Sequence, residues 1–410
     1  MKKHLIAIAV GTLIATPAAF ADVEVGPIAL YGTFHTAVEL ISLAKNGATV
    51  ANTDDSQTRL ADQTSKLGFK TKLDLGNGSF ALGQVESRFY LGSNGSNTDN
   101  KAELGGRNTF VGVGSSDAGT LRLGRYDNAY KLSSKLIGPL RDNLNDATDD
   151  TGDKQILNRL GARQGDLVAY ESPNWGGFTA LVSYNLGKDS TGSISGNKGD
   201  DLAKYTAATD LMNQMSIGLG YKAGDFSVGL GTTTITNAAW QLDGSSSASV
   251  KNYRGNQELS AYQLGASYKL GGFKVGFVTE RTASKLSGGF KLSTNAAGTV
   301  VQGAALAFDQ NQTTNGLVLG YKSGAYTVEA RYAVADDVSG SVNGANVATD
   351  TGATQYGVAL AYQWHKNVQI IGSITSVDNK KNSKFTTASG FSLSNGVDMQ
   401  QVAVGIAATF

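Results

Sequence analysis

The sequence predicts an all-β fold, a 16-stranded antiparallel transmembrane β-barrel with short periplasmic turns and long extracellular loops. Three observations carry that expectation: a glycine-rich, proline-poor composition, a period-two alternation of apolar and polar residues, and connections that switch between short and long. Of 410 residues, 52 are Gly, 4 are Pro, none is Cys and 17% are charged. A glycine share of about 13% with no three-residue period excludes collagen and favours turn-rich β structure. Beyond the N-terminal segment no run approaches the roughly 18 apolar residues that a spanning helix needs, so a membrane crossing falls to strands.

At the N-terminus, Lys2 and Lys3 precede an apolar stretch from Leu5 to Ala15, then Pro17 and the small-residue site Ala19-Phe20-Ala21. That is the pattern of a removable export signal. Residues 1–21 are expected to be a signal peptide and residues 22–410 a single β-barrel domain. The chain from Asp22 onward has a net charge of about −1 and lacks the concentrated basic surface that a nucleic-acid partner requires. Export without cysteine calls for stabilisation other than disulfides, and closed β hydrogen bonding provides it.

Reading every second residue gives apolar faces at Ile28, Leu30 and Phe34; at Phe226, Val228 and Leu230; and at Leu264, Ala266, Tyr268 and Leu270. The pattern continues at Leu317, Leu319 and Tyr321; at Tyr326, Val328, Ala330 and Tyr332; at Tyr356, Val358, Leu360 and Tyr362; and from Val402 through Val404, Ile406 and Ala408 to Phe410. Each such strand has one apolar and one polar face. Short connections are expected at Gly76 to Gly78, Ser115 to Gly119, Asn174 to Gly177, Ala223 to Asp225, Gly271 to Gly272, Ser323 to Ala325 and Trp364 to Lys366. Long polar ones, such as Gly187 to Met212 and Ser284 to Asn311, separate them. This asymmetry is how outer-membrane barrels are built. Tyr170, Tyr221, Tyr268, Tyr321 and Tyr362 each stand near a short turn and predict an interfacial girdle. The alternative architecture, a soluble or surface-anchored β-rich adhesin, would bury one face of each strand in a dry core and divide a chain of this length with linkers. The sequence shows none.

Several segments resemble the general trimeric porins of Gram-negative bacteria, of the neisserial and Burkholderiales type. They are IALYGTFHTAVEL in the first strand, TSKLGFKTKLDLGNGSFALGQVES from Thr64 to Ser87, RNTFVGVGSSDAGTLRLGRYD from Arg107 to Asp127, and LVAYESPNWGGFTALVSYN from Leu167 to Asn185. The N-terminal half matches closely and the C-terminal half in pattern. Two positions depart: Ala408 stands where members often carry an aromatic, and Ala169 where they often carry an Arg before the residue matching Tyr170. The resemblance implies passive diffusion of small hydrophilic solutes and ions through a water-filled channel. It also implies a homotrimer latched by the loop from Gly92 to Glu103, contact with outer-membrane lipid and lipopolysaccharide, and recognition of Phe410 by the barrel-assembly machinery.

Enzyme chemistry lacks its parts. Only His35 and His365 remain after signal removal, and no HExxH, GxSxG or P-loop pattern occurs. No catalytic residue, cofactor or metal is expected; the acidic stretch from Asn145 to Asp153 departs from the EF-hand spacing. Alternation instead places Lys66, Lys70 and Lys72 on the inward phase of the second strand and Glu86 and Arg88 on that of the third. Arg107 starts the fourth, where Phe110 and Val111 compete for the outer face. Lys66, Lys70, Arg88 and Arg107 are the expected basic wall. Small inward residues, Gly218, Gly220, Gly229, Gly231, Gly320, Gly357 and Gly405, would keep the lumen open. The stretch from 127 to 165 is unusually apolar for a loop. The resemblance implies that it folds into the barrel as the constriction, setting Asp142, Asp146, Asp149, Asp150 and Asp153 against the basic wall. A transverse field of that kind filters solutes by size and charge, and a weak preference for anions is expected.

Overall fold

The computed structural model describes residues 23–25, 28–45, 56–63, 65–92, 104–137, 156–186, 212–237, 252–294, 300–347, 349–387 and 393–410. The strands are β1 (Val23–Val25), β2 (Ile28–Lys45), β3 (Ser56–Asp62), β4 (Lys66–Gly76), β5 (Ser79–Arg88), β6 (Thr109–Ser115), β7 (Gly119–Asp127), β8 (Arg163–Glu171), β9 (Phe178–Asn185) and β10 (Met212–Ala223). They continue with β11 (Phe226–Asn237), β12 (Asn252–Leu270), β13 (Phe273–Thr294), β14 (Val300–Ser323), β15 (Tyr326–Ala335), β16 (Ser339–Val342), β17 (Ala345–Asn346), β18 (Ala353–His365), β19 (Val368–Asn379) and β20 (Val397–Thr409). One helix, α1 (Ala129–Ile137), follows β7.

The strands form one antiparallel sheet that closes into a ring of sixteen positions. β3 and β4 share the second position: β3 pairs with Thr36 to Ser42 of β2, and β4 with Ile28 to Thr33. Between them, the Gln63 N–H donates to the His35 carbonyl (2.7 Å) and the Ser65 N–H to the Asp62 carboxylate (3.2 Å), which keeps the interrupted backbone satisfied. β16 and β17 form a small hairpin against β14. Pairs from Thr33 with Thr409 to Lys45 with Val397 join β2 to β20 and close the ring. Closure pairs the two terminal positions of the ring with each other, so neither is left as a free edge along that seam.

Alternation sets the two faces. Val111, Val113, Leu264, Leu319, Val358 and Val404 are exposed on the outside, as an apolar band toward hydrocarbon requires. The opposite phase carries Gln214, Ser216, Thr233, Gln263, Glu280, Gln312 and Thr314, all buried within the ring. At the short-turn end aromatic rings stand in cross-strand pairs on the outer phase. Phe178 with Tyr221 and Phe273 with Tyr321 have centroids 4.4 Å apart, and Tyr326 with Tyr362 5.0 Å. Tyr268 lies opposite Phe226, and the Tyr170 hydroxyl donates to the Ala118 carbonyl at 2.9 Å. In the two-residue turn between β4 and β5, Asn77 and Gly78 both lie at positive φ (53° and 73°), the combination that the Asn-Gly pair tolerates best.

Two expectations need correction. The polar stretch from Ser284 to Asn311 is mostly sheet rather than loop: β13 and β14 pair from Phe273 with Tyr321 out to Thr294 with Val300, with register shifts at Leu286/Gly289 and Phe290/Leu292. Leu286, Phe290 and Leu292, and then Leu306 and Phe308, do share one phase, but Gly, Ser, Asn and Thr between them break the period, and backbone pairing does not need it. The inward glycines also differ in role. Gly218 and Gly231 are register partners, and a Cβ on either would collide with Ser133 of α1. Those two seat the helix instead of widening the lumen.

Candidate functional site

The inner wall from β2 to β7 is built around Glu86. Its Oε1 accepts from Arg107 Nε at 2.7 Å, its Oε2 accepts from the Tyr31 hydroxyl at 3.0 Å, and Lys66 Nζ lies 3.6 Å from Oε2. Lys66 and Arg88 are register partners across β4 and β5, and Arg88 reaches Asp62 at 3.5 Å. Lys70 Nζ lies 5.2 Å from the centre of the Tyr31 ring. Glu86 and Asp62 are buried, and a desolvated carboxylate needs such partners. Three cations, Lys66, Arg88 and Arg107, thus gather around two carboxylates, with Lys70 beside them over Tyr31.

The phase at the start of β6 follows from its neighbours. Val111 is 64% exposed on the outside, whereas Phe110 is 8% exposed on the inside, its ring 5.0 Å from Tyr126. Arg107 precedes the strand; its N–H donates to the Glu86 carbonyl at 2.9 Å, and its side chain is buried. Next along the wall, Arg122 of β7 holds Glu171 of β8 at 2.9 Å, and the inward Ala169 is its register partner.

The opposite wall receives the described parts of the segment 127–165. Asn128 caps α1, its side-chain oxygen accepting from the Lys131 N–H at 2.7 Å. Ser183 of β9 accepts from the Ala129 N–H at 2.8 Å. Gln263 of β12 donates to the Tyr130 carbonyl (2.7 Å) and to Ser133 (2.6 Å). At the far end of the segment, Arg159 is buried and donates to Gln312 Oε1 at 2.6 Å and to the Thr282 hydroxyl, and its N–H donates to Glu280 at 3.2 Å. The Asn158 N–H donates to the other Glu280 oxygen. Burial, and then the neighbouring Glu280 carboxylate, push the Tyr130 phenol well above its ordinary pKa. Ile156 joins Ile41, Val377, Phe385, Val397 and Met399 in an apolar cluster inside the ring. α1 and this tail are thus fastened to different arcs of the wall.

Asp142, Asp146, Asp149, Asp150 and Asp153 lie outside the described residues, as does 93–103 of the expected latch. His35 is on the inward phase and His365 is exposed at the end of β18. Phe410 exchanges backbone hydrogen bonds with Gly32 (2.9 and 3.0 Å), and its ring stands 5.3 Å from Phe34. Sequence reasoning passed over Glu86 and Asp62 as organising carboxylates, and over Arg122, Arg159 and Glu280. For Arg122, set between Leu121 and Leu123, and for Glu280, opposite in phase to Phe277, the alternation itself was the available signal. Arg159 sits in a loop with no period to read.

A family profile described as Gram-negative porin matches residues 6–382. Major outer membrane protein P.IB of Neisseria meningitidis serogroup B is 34% identical over 190 residues, covering 45% of this chain and 50% of that protein. The corresponding protein of Neisseria lactamica is 32% identical over 198 residues, 47% of this chain and 52% of that one. The chain spans about half the length of these relatives. Among solved structures, an anion-selective porin from Comamonas acidovorans superimposes with TM-score 0.63 at 22% identity, over 93% of this chain and 99% of that one. Outer-membrane expressed OmpT of Vibrio cholerae does so with TM-score 0.60 at 12% identity, over 95% and 100%. These likenesses are to the fold.

Proposed function

Since the chain belongs to the Gram-negative porin family, we propose that it forms a water-filled outer-membrane channel for passive diffusion of small hydrophilic solutes and ions, with a weak preference for anions. The observation that carries this reading is the inverted alternation of a closed ring. Apolar residues such as Val111, Leu264 and Val404 face out, while charged and amide side chains line a lumen. In this reading Lys66, Lys70, Arg88 and Arg107 form the basic wall, whose four cations outnumber the two carboxylates, Glu86 and Asp62, that three of them hold. The segment 127–165 narrows the lumen and sets Asp142, Asp146, Asp149, Asp150 and Asp153 opposite. Residues 1–21 are the export signal and 22–410 the barrel domain.

The working form is a homotrimer in contact with lipid and lipopolysaccharide, and Phe410 is the residue that the barrel-assembly machinery reads. A solved relative by fold, OmpT of Vibrio cholerae, is described in a trimer form, which supports the oligomer. The test is purified protein in a planar bilayer. Stepwise conductance, a compact oligomer in unboiled gels, and a reversal potential of anion sign in a salt gradient are the expected results. A detergent-independent monomer without conductance overturns the channel. Deleting Phe410 should lower outer-membrane yield while the protein that folds conducts normally.

A further inference from the structure

A water-filled lumen has no use for apolar side chains on its inner phase, yet the wall between β4 and β8 carries them beside cations. Register across five strands gives one row of partners, Lys72, Leu82, Gly112, Arg122 and Ala169. Leu73, Val111, Val113, Leu121 and Leu123 are exposed on the outside of these strands, so the row faces in. Leu82 is half-buried, and Gly112 leaves room for Leu82 and Arg122 to lean together: a Cβ there would lie 3.4 Å from each. One row nearer the short turns, Phe80 lies against Gly114, with Lys72 Nζ 3.9 Å from its ring centre. Arg122 lies 5.6 Å from the Phe110 ring, and its Nε–H has no acceptor among the described residues.

From Lys72 to Arg122 the row thus has an apolar floor, one aromatic side and a cation at each end. Asp74 and Glu171 are the carboxylates nearest to it in register; against Lys70, Lys72 and Arg122 they leave a surplus of about one positive charge, which suits a monoanion. A ring attached to that anion would cover Leu82 and meet the edge of Phe80, with Lys72 swinging from the Phe80 face, or Arg122 from the other side, to its carboxylate. Resting on the channel reading above, we propose that this row is a weak subsite for aromatic monocarboxylates, which enriches them in the lumen over small carboxylates of equal charge. Chloride and acetate gain nothing from the floor.

The experiment uses the full protein in planar bilayers and compares bi-ionic potentials of sodium chloride against sodium benzoate and against sodium acetate. Wild type should pass benzoate relative to acetate about threefold better than their mobilities in water allow. Phe80→Ser with Leu82→Ser should bring that ratio down to the mobility ratio while chloride conductance persists. Lys72→Gln, which leaves the floor intact, should lower benzoate permeability relative to chloride and serves if the double variant does not fold. A wild-type ratio equal to the mobility ratio, or enrichment that survives the substitutions, overturns the subsite while the channel stands. Absence of chloride conductance in wild type overturns the channel reading and the subsite with it.

Discussion

Removing Arg107 would take away the nearest cation of the Glu86 carboxylate and leave it the Tyr31 hydroxyl (3.0 Å) and the more distant Lys66 Nζ (3.6 Å). The Arg107 and Glu86 side chains are nearly inaccessible (4% and 5%) and 2.7 Å apart, and breaking a buried pair from one side costs about 3–5 kcal/mol. Arg107→Met should therefore lower the unfolding midpoint in detergent, and adding Glu86→Gln should restore part of the loss because the under-compensated charge is gone. Asp337 makes a gentler case outside the membrane. Burial works against its ionisation, yet hydrogen bonds from Lys380 Nζ (3.0 Å) and the Gly352 N–H (2.8 Å) hold its carboxyl below the ordinary range. A lowered folded pKa means that this tie is present above the unfolded value of about 3.9 and is lost as pH falls through the lower folded value. Both groups are more than a third exposed (49% and 37%), so it contributes under about 1 kcal/mol. The difference in thermal midpoint between wild type and Lys380→Met should be small at neutral pH, begin to shrink as pH falls below about 4, and vanish only below the lower folded value. At this scale the sequence shows facing but not pairing: Lys66, Arg88 and Glu86 sit on an inward phase by counting, whereas the meeting of Arg107 with Glu86 needs register, which no local pattern encodes.

The element most dependent on its surroundings is α1. Nine residues form few intrahelical bonds, so the helix relies on its Asn128 cap and on the wall it lies against. That wall is a pair of glycines: a Cβ at Gly218 would come 2.8 Å from Ser133 Cβ and 3.0 Å from the Ala129 carbonyl. Gly218→Val should push the helix toward the lumen, at an overpacking cost of about 1–3 kcal/mol, and lower single-channel conductance; an unchanged conductance would show that the helix does not border the conducting path. The apolar character of the segment from 127 to 165 was readable, but its helix was not, because Leu132, Leu136 and Ile137 alone do not distinguish a helix from a packed loop. The outer part of the β13–β14 hairpin was hidden for a different reason, since the apolar phase of Phe290, Leu292, Leu306 and Phe308 is interrupted by a Ser, Gly and Asn-rich stretch that reads as a loop.

Across the whole molecule, the ring was the most legible feature. Outward phases from Ile28 to Phe410 and the seven short turns follow from alternation and glycine placement, because one face of each strand meets hydrocarbon and the other water. The same ring has a consequence for how the chain reaches its shape. Apart from the small β16–β17 hairpin, each barrel strand is bonded to its neighbours in sequence except at one seam, where pairs such as His35 with Ala407 are made. The local hairpins confine short loops, but the seam joins residues about 370 apart in sequence, and its strands meet only after the sheet between them is built. Closure is therefore expected to be the slow, late step of refolding, with a nearly complete sheet waiting open. Gly405 sits in that seam, where a Cβ would lie 2.6 Å from the Thr36 carbonyl; Gly112 sits in a local hairpin with a like clash, 2.5 Å from the Leu121 carbonyl. Gly405→Val should slow the last phase of refolding into micelles, followed by gel mobility, whereas Gly112→Val should lower stability and leave that phase at its wild-type rate. The barrel has one joint at which time, rather than strength, is decided.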